Sequence, residues 1–172
     1  GHIRHGGNGP TVLGTIQAEP PALFEDLIQI FRRAGMECKA TDRAMDHIWA
    51  KLLVNIGINA ITALTGVPNG WIVACSPARE VARAAVMEAM QVAHVQGSEP
   101  DVNTVERVMA VAQATAANHS SMLQDVQSGN RTEVEAINGI ICNWGQEFEI
   151  STSVNMVLKN LIQVLEHKNQ PE

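Results

Sequence analysis

The spacing of apolar residues changes near residue 41. Before it they come in short groups separated by glycine, and after it they recur at helical intervals almost without a break. Residues 1–14, GHIRHGGNGPTVLG, predict one or two strands and a turn. Pro20-Pro21 opens ALFEDLIQIFRRAG, in which Leu23, Leu27, Ile30 and Phe31 share helical spacing and Gly35 supplies the stop. The segment MECKAT then returns as a strand, so the opening part reads strand, strand, helix, strand.

Beyond it, Thr41 or Asp42 is expected to cap a long helix that reaches about Leu64 and is ended by Gly66 and Pro68. Ser76-Pro77 starts a helix with proline at its first position, running to Gly97. Further helices are predicted from about Asn103 to Asn118, from Ser121 for two turns, from Glu133 to about Glu147, and from Thr152 to His167. The expected fold class is mainly α: an all-helical domain over residues 42–172, preceded by a short α/β piece over residues 1–41.

The long helix KLLVNIGINAITALTGVPNG, residues 51–70, is apolar on nearly every side but carries Lys51, Asn55 and Asn59 at intervals of four. At about 100° per residue these three fall within a sector of roughly 80°, along about 12 Å of helix. Such a stripe among Leu52, Leu53, Val54, Ile56, Ile58 and Ile61 is expected to face something polar yet enclosed. A buried cation and buried amides cost several kcal/mol unless partnered, and Gly57 costs about 1 kcal/mol more than alanine; function or a close helix contact can offset both. Alternatively, Lys51 snorkels to water while Asn55 and Asn59 bond to neighbouring carbonyls.

Composition narrows the field. The 172 residues are 45% hydrophobic with a formal charge of -6, no tyrosine, and three each of Phe and Trp, so direct nucleic-acid binding is not expected. No apolar stretch is expected to reach the ~20 residues that span a bilayer, and the start lacks the pattern of a signal peptide. Cys38, Cys75 and Cys142 are odd in number and far apart, which predicts free buried thiols in a reducing, cytoplasmic compartment. Asn118-His119-Ser120 and Asn130-Arg131-Thr132 are then chance glycosylation triplets. No metal site is expected: strand geometry would send His2 and His5 to opposite faces, and His47 reads as an exposed helix residue. GGNG at residues 6–9 lacks the spacing of a phosphate-binding loop.

In residues 119–139, HSSMLQDVQSGNRTEVEAING, Ser121 with Gln124 and Thr132 with Glu135 each fit a capping box, and Glu133 sits where it would complement a helix dipole. Helix N-termini with a serine hydroxyl are equally receptors for a carboxylate.

Together, WAKLLVNIGINAITALTGVPNG and SSMLQDVQSGNRTEVEAINGII resemble the C-terminal domain of the ketopantoate reductase (2-dehydropantoate 2-reductase) family, and GHIRHGGNGPTVLG resembles the last strands of its nucleotide-binding domain. The resemblance covers essentially the whole chain. It implies a helical substrate domain like the C-terminal domain of 6-phosphogluconate dehydrogenase, after a remnant of a Rossmann domain. It also implies NADPH-dependent reduction of 2-dehydropantoate to pantoate on the way to pantothenate and coenzyme A. By the same resemblance Lys51 is the proton donor, Asn55, Asn59, Asn69 and Ser121 contact the substrate, and Glu133 lies near the cofactor and the lysine.

The G-x-G-x-x-G turn of the family has no counterpart here, so a truncated nucleotide-binding domain, and a chain inactive by itself, are expected. The expected partner is a small 2-oxo acid, with no nucleic acid and no membrane, and a homodimer is one expected assembly. The competing readings are a related 2-oxo acid reductase of the same superfamily, or a non-catalytic helical dimerisation module.

Overall fold

The computed structural model describes residues 1–2, 9–16 and 22–169. His5 and most of the 6–9 glycine segment lie outside the described residues. The chain divides into two compact units, Gly1–Ile48 and Trp49–Glu172.

In the first unit, β1 (Thr11–Gly14) and β2 (Cys38–Thr41) pair in parallel, Thr11 opposite Cys38 and Gly14 opposite Thr41, with α1 (Phe24–Arg33) between them in sequence. Parallel strands need such a crossover. α1 carries Glu25 and Asp26 in its first turn and Arg32 and Arg33 in its last, matching the helix dipole, and Gly35 takes φ +78° just beyond it. Arg32 Nε donates to the Cys38 carbonyl at 3.1 Å, tying helix to strand. The helix lies where its spacing predicts, yet only Ile28 is buried, while Leu23, Leu27 and Ile30 are exposed. Two short strands offer too little surface to cover an apolar helix face.

The second unit is helical throughout. α2 (Ala44–Thr65) enters it at Trp49, followed by α3 (Trp71–Ala74), α4 (Ser76–Val95), α5 (Thr104–Ala114), α6 (Ser121–Ser128), a π-helical turn (Glu135–Gly139) that runs into α7 (Ile140–Glu147), and α8 (Ser153–Asn169). The predicted helices are all present. The four-residue α3 and the π turn had no signal in the spacing.

α2 is the axis of this unit. By length and composition it could cross a bilayer, contrary to expectation, but its apolar surface is spent inside the protein: Leu53, Ile56, Ile58, Ala60, Ile61 and Ala63 are all buried. Ala82, Ala85, Ala89 and Ala93 present a small-residue face of α4 to the same core. Gly57 explains itself here, because a Cβ at that position would lie 2.5 Å from Val108 Cγ1 and 3.0 Å from Val86 Cγ2. The missing side chain lets α4 and α5 approach α2. Trp49 and Trp144 pack with ring centroids 5.5 Å apart, fixing α7 to the start of the buried stretch.

Candidate active site

The stripe on α2 runs from solvent into the core. Lys51 is exposed, Asn55 half-buried and Asn59 buried at 5% exposure. The expected enclosure therefore holds only at its inner end, because burial of α2 becomes continuous only from Ile56 onward. Asn59 Nδ2 is shielded from water and has no hydrogen-bond partner. An amide left this way costs about 1 to 3 kcal/mol, which a ligand acceptor would recover.

One turn further, Thr62 donates back to the Ile58 carbonyl at 2.9 Å and the Asn59 carbonyl at 3.1 Å. Its Oγ1 also meets Ser120 Oγ at 2.7 Å. α2 ends at Gly66, φ +71°, whose amide bonds the Thr62 carbonyl at 2.8 Å.

The Asn69-Gly70 pair is anchored to the α5–α6 connection. Asn69 N donates to the Asn118 carbonyl at 2.9 Å, Gly70 N to the Ala116 carbonyl at 3.1 Å, and Asn69 Nδ2 to Thr115 Oγ1 at 3.0 Å. A Cβ on Gly70 would sit 2.7 Å from Ala116 Cβ, so only glycine allows this approach. Asn69 Oδ1 is left buried and unpartnered. Asn59 thus offers an unspent donor and Asn69 an unspent acceptor, both on segments tied by hydrogen bonds to residues 115–120.

The caps differ from those expected. Ser120, not Ser121, caps α6: its Oγ accepts the Leu123 amide at 3.1 Å, and Gln124 Nε2 reaches the His119 carbonyl at 3.0 Å. The neighbouring Ser121 is exposed and relieved of capping duty. Thr132 Oγ1 accepts the Val134 amide at 3.2 Å, but Glu135 turns to Gln163 instead, and the Thr132 amide goes to Glu166 Oε1 at 2.6 Å. At the entry to α2, Thr41 Oγ1 accepts the Arg43 amide at 3.0 Å. Glu133 is exposed. Neither it nor Lys51 nor Asn55 has a side-chain hydrogen bond or ion pair among the described residues.

Hydrogen bonds therefore bring the segments of Asn59, Asn69 and Ser121 together, and they do not join Lys51 or Glu133 to that group. Thr62, Thr115 and Ser120 are the supporting residues that spacing alone missed. Thr62 lay three positions after Asn59 in an apolar run, which is the signal that would have found it. His47 is exposed, as expected, and no cluster able to hold a metal occurs among the described residues. The three cysteines are free, with Cys38 and Cys142 buried and Cys75 half-buried. Burial pushes the Cys142 thiol above its ordinary pKa, against a hydrogen bond from Thr152.

A cavity of about 400 Å³ lies elsewhere, between α7 and α8, lined by Cys142, Gln146, Thr152, Ser153, Met156 and Lys159 among others. None of the expected site residues lines it. The N-terminus of α8 beside it is already satisfied by Glu88, whose carboxylate accepts from Val154 N at 2.9 Å and Asn155 N at 3.0 Å.

Residues 43–166 match the family described as "Ketopantoate reductase PanE/ApbA C terminal". The 2-dehydropantoate 2-reductase of Archaeoglobus fulgidus is 42% identical over 166 residues, covering 96% of this chain and 56% of that protein. The 2-dehydropantoate 2-reductase of Halobacterium salinarum is 38% identical over 164 residues, covering 95% of this chain and 54% of its own length. The crystal structure of a PanE/ApbA family ketopantoate reductase from Ralstonia eutropha superposes with a TM-score of 0.91 at 30% identity, covering 99% of this chain and 55% of that one. The chain spans about half the length of the curated relatives it matches.

Proposed function

The chain belongs to the ketopantoate reductase family, and from that premise we propose that it supplies the substrate side of an NADPH-dependent 2-dehydropantoate 2-reductase, with residues 42–172 as the substrate domain. The observation that carries this reading is the pair of buried, unpartnered side-chain atoms, the Asn59 amide nitrogen and the Asn69 carbonyl oxygen, on segments that are each hydrogen-bonded to residues 115–120. A dry donor and a dry acceptor suit a small ligand that bears both carbonyl and hydroxyl groups.

The sequence contains no G-x-G-x-x-G turn, so the phosphate cradle for NADPH is not among these residues, and of the proposed cofactor contacts only the exposed Glu133 is carried here. NADPH, when bound, supplies hydride to the ketone carbon. The exposed apolar face of α1 and the open parallel pair β1–β2 are surfaces that a larger doubly wound sheet would cover.

As charge develops on the ketone oxygen, it needs a donor already in place. In this reading Lys51, exposed and without a carboxylate partner, gives that oxygen both positive charge and a proton. Asn55 and Asn59, neutral amides on the same face, orient the substrate without adding charge, and Asn69 accepts from its hydroxyl. The Ser121 hydroxyl and the α6 amides beside it receive the carboxylate. Three unpaired thiols suit the reducing cytoplasm.

The experiment is steady-state kinetics of Lys51→Ala in the full-length reductase that carries this chain. Turnover should fall by about 100-fold or more while NADPH binding is kept. Retained turnover removes Lys51 from the proton-donor role. The isolated 172-residue chain should oxidise no NADPH with ketopantoate, and measurable oxidation would contradict the one-sided site.

A further inference from the structure

Two buried hydroxyls that touch no substrate in the proposed reaction connect α2 to α6. Thr62 Oγ1 and Ser120 Oγ lie 2.7 Å apart, and each has a single proton to give. Buried polar groups are satisfied wherever geometry permits, and that requirement fixes the direction of the chain. Thr62 Oγ1 has the carbonyls of Ile58 and Asn59 within reach as acceptors for its proton. Ser120 Oγ accepts the Leu123 amide and passes its own proton to Thr62. The reverse arrangement would leave the Ser120 proton without an acceptor in the interior. Donation thus runs from the first turn of α6 through Ser120 and Thr62 to the main chain at Asn59.

A capping serine open to solvent would give its proton to water and need nothing from α2, but Ser120 is buried. Here the cap is bonded to the turn of α2 that bears Asn59, and the next residue after the cap is Ser121. Resting on the substrate-side reading of Asn59 and Ser121, we propose that Thr62 and Ser120 are positioning residues, which hold the Ser121 hydroxyl at a fixed place relative to the Asn59 carboxamide and so set the affinity for the 2-oxo acid.

A double-mutant cycle in the full-length reductase tests this, with Thr62→Val, Ser121→Ala and the pair. Thr62→Val should raise the ketopantoate KM about ten-fold, the scale of one buried hydrogen bond, and leave the NADPH KM unchanged. Thr62→Ser, which keeps the hydroxyl, should restore the wild-type value. With Ser121 already replaced by alanine, Thr62→Val should add less than about two-fold. Equal effects in both backgrounds, or a matching rise in the NADPH KM, would overturn the positioning role while leaving the site reading intact. A Ser121→Ala enzyme with unchanged ketopantoate KM would overturn the site reading and this proposal together. Should Thr62→Val not fold, Ser120→Ala breaks the same chain from the other side and is judged by the same cycle.

Discussion

The two units use their apolar residues in opposite ways. In Gly1–Ile48 the helix α1 shows Leu27 and Ile30 to the outside and buries only Ile28, whereas in Trp49–Glu172 every helix longer than one turn contributes to one closed core. Apolar spacing fixes which residues share a helix face, but burial depends on what there is to pack against. A helix on a two-stranded sheet has one thin partner. α2 meets α4 and α5 at close range, and Gly57 sets how near they come.

Substitutions can test that contrast. Ile56→Ala, at a position with 0% exposure, should cost about 2 to 5 kcal/mol in urea unfolding, through lost transfer energy and the cavity left behind. Gly57→Ala should gain about 1 kcal/mol of helix propensity and lose more by crowding Val108 and Val86, for a net loss of about 1 to 2 kcal/mol. A gain in stability instead would show that the helices can separate at no cost. Ile30→Ser, at 60% exposure in the first unit, should change stability by less than about 0.5 kcal/mol, and a loss comparable to Ile56→Ala would erase the difference between the units.

The smallest effect lies on the rim of the closed unit. The Asn103 amide, with Arg107 adding its charge, holds the Asp101 carboxyl below its ordinary 3.8. Its contribution is present above that value and disappears as pH falls through the lower folded-state value. Asp101→Asn should therefore flatten the acid limb of a stability–pH curve slightly, and thermal melts between neutral pH and pH 2 measure it.

Much of this was legible in the residues. The spans of α2, α4, α6 and α8 follow from periodicity with Gly and Pro as punctuation, and the Lys51, Asn55 and Asn59 stripe lies where the helical repeat puts it. The choice between Ser120 and Ser121 as cap was not legible, since adjacent hydroxyls are equivalent until a tertiary partner, here Thr62, selects one. Nor was the buried Asn138–Asn155 pair, whose 3.0 Å hydrogen bond joins residues 17 positions apart. The exposure of Lys51 followed from where the core begins along α2, which no local pattern encodes.

The π turn at Glu135–Gly139 has a consequence for angular phase. Such a turn fits one more residue into a helix than the α repeat allows, so everything after it is rotated by about 100° relative to an uninterrupted helix. Glu133 lies in the bend just before the helix and Ile141 beyond the turn, so the offset sets the heading of buried Ile141. Deleting a single residue from the turn would leave an ordinary α turn with Ile141 at its present heading, whereas forcing all five residues into α geometry would re-clock α7 and swing Ile141 away from its neighbours.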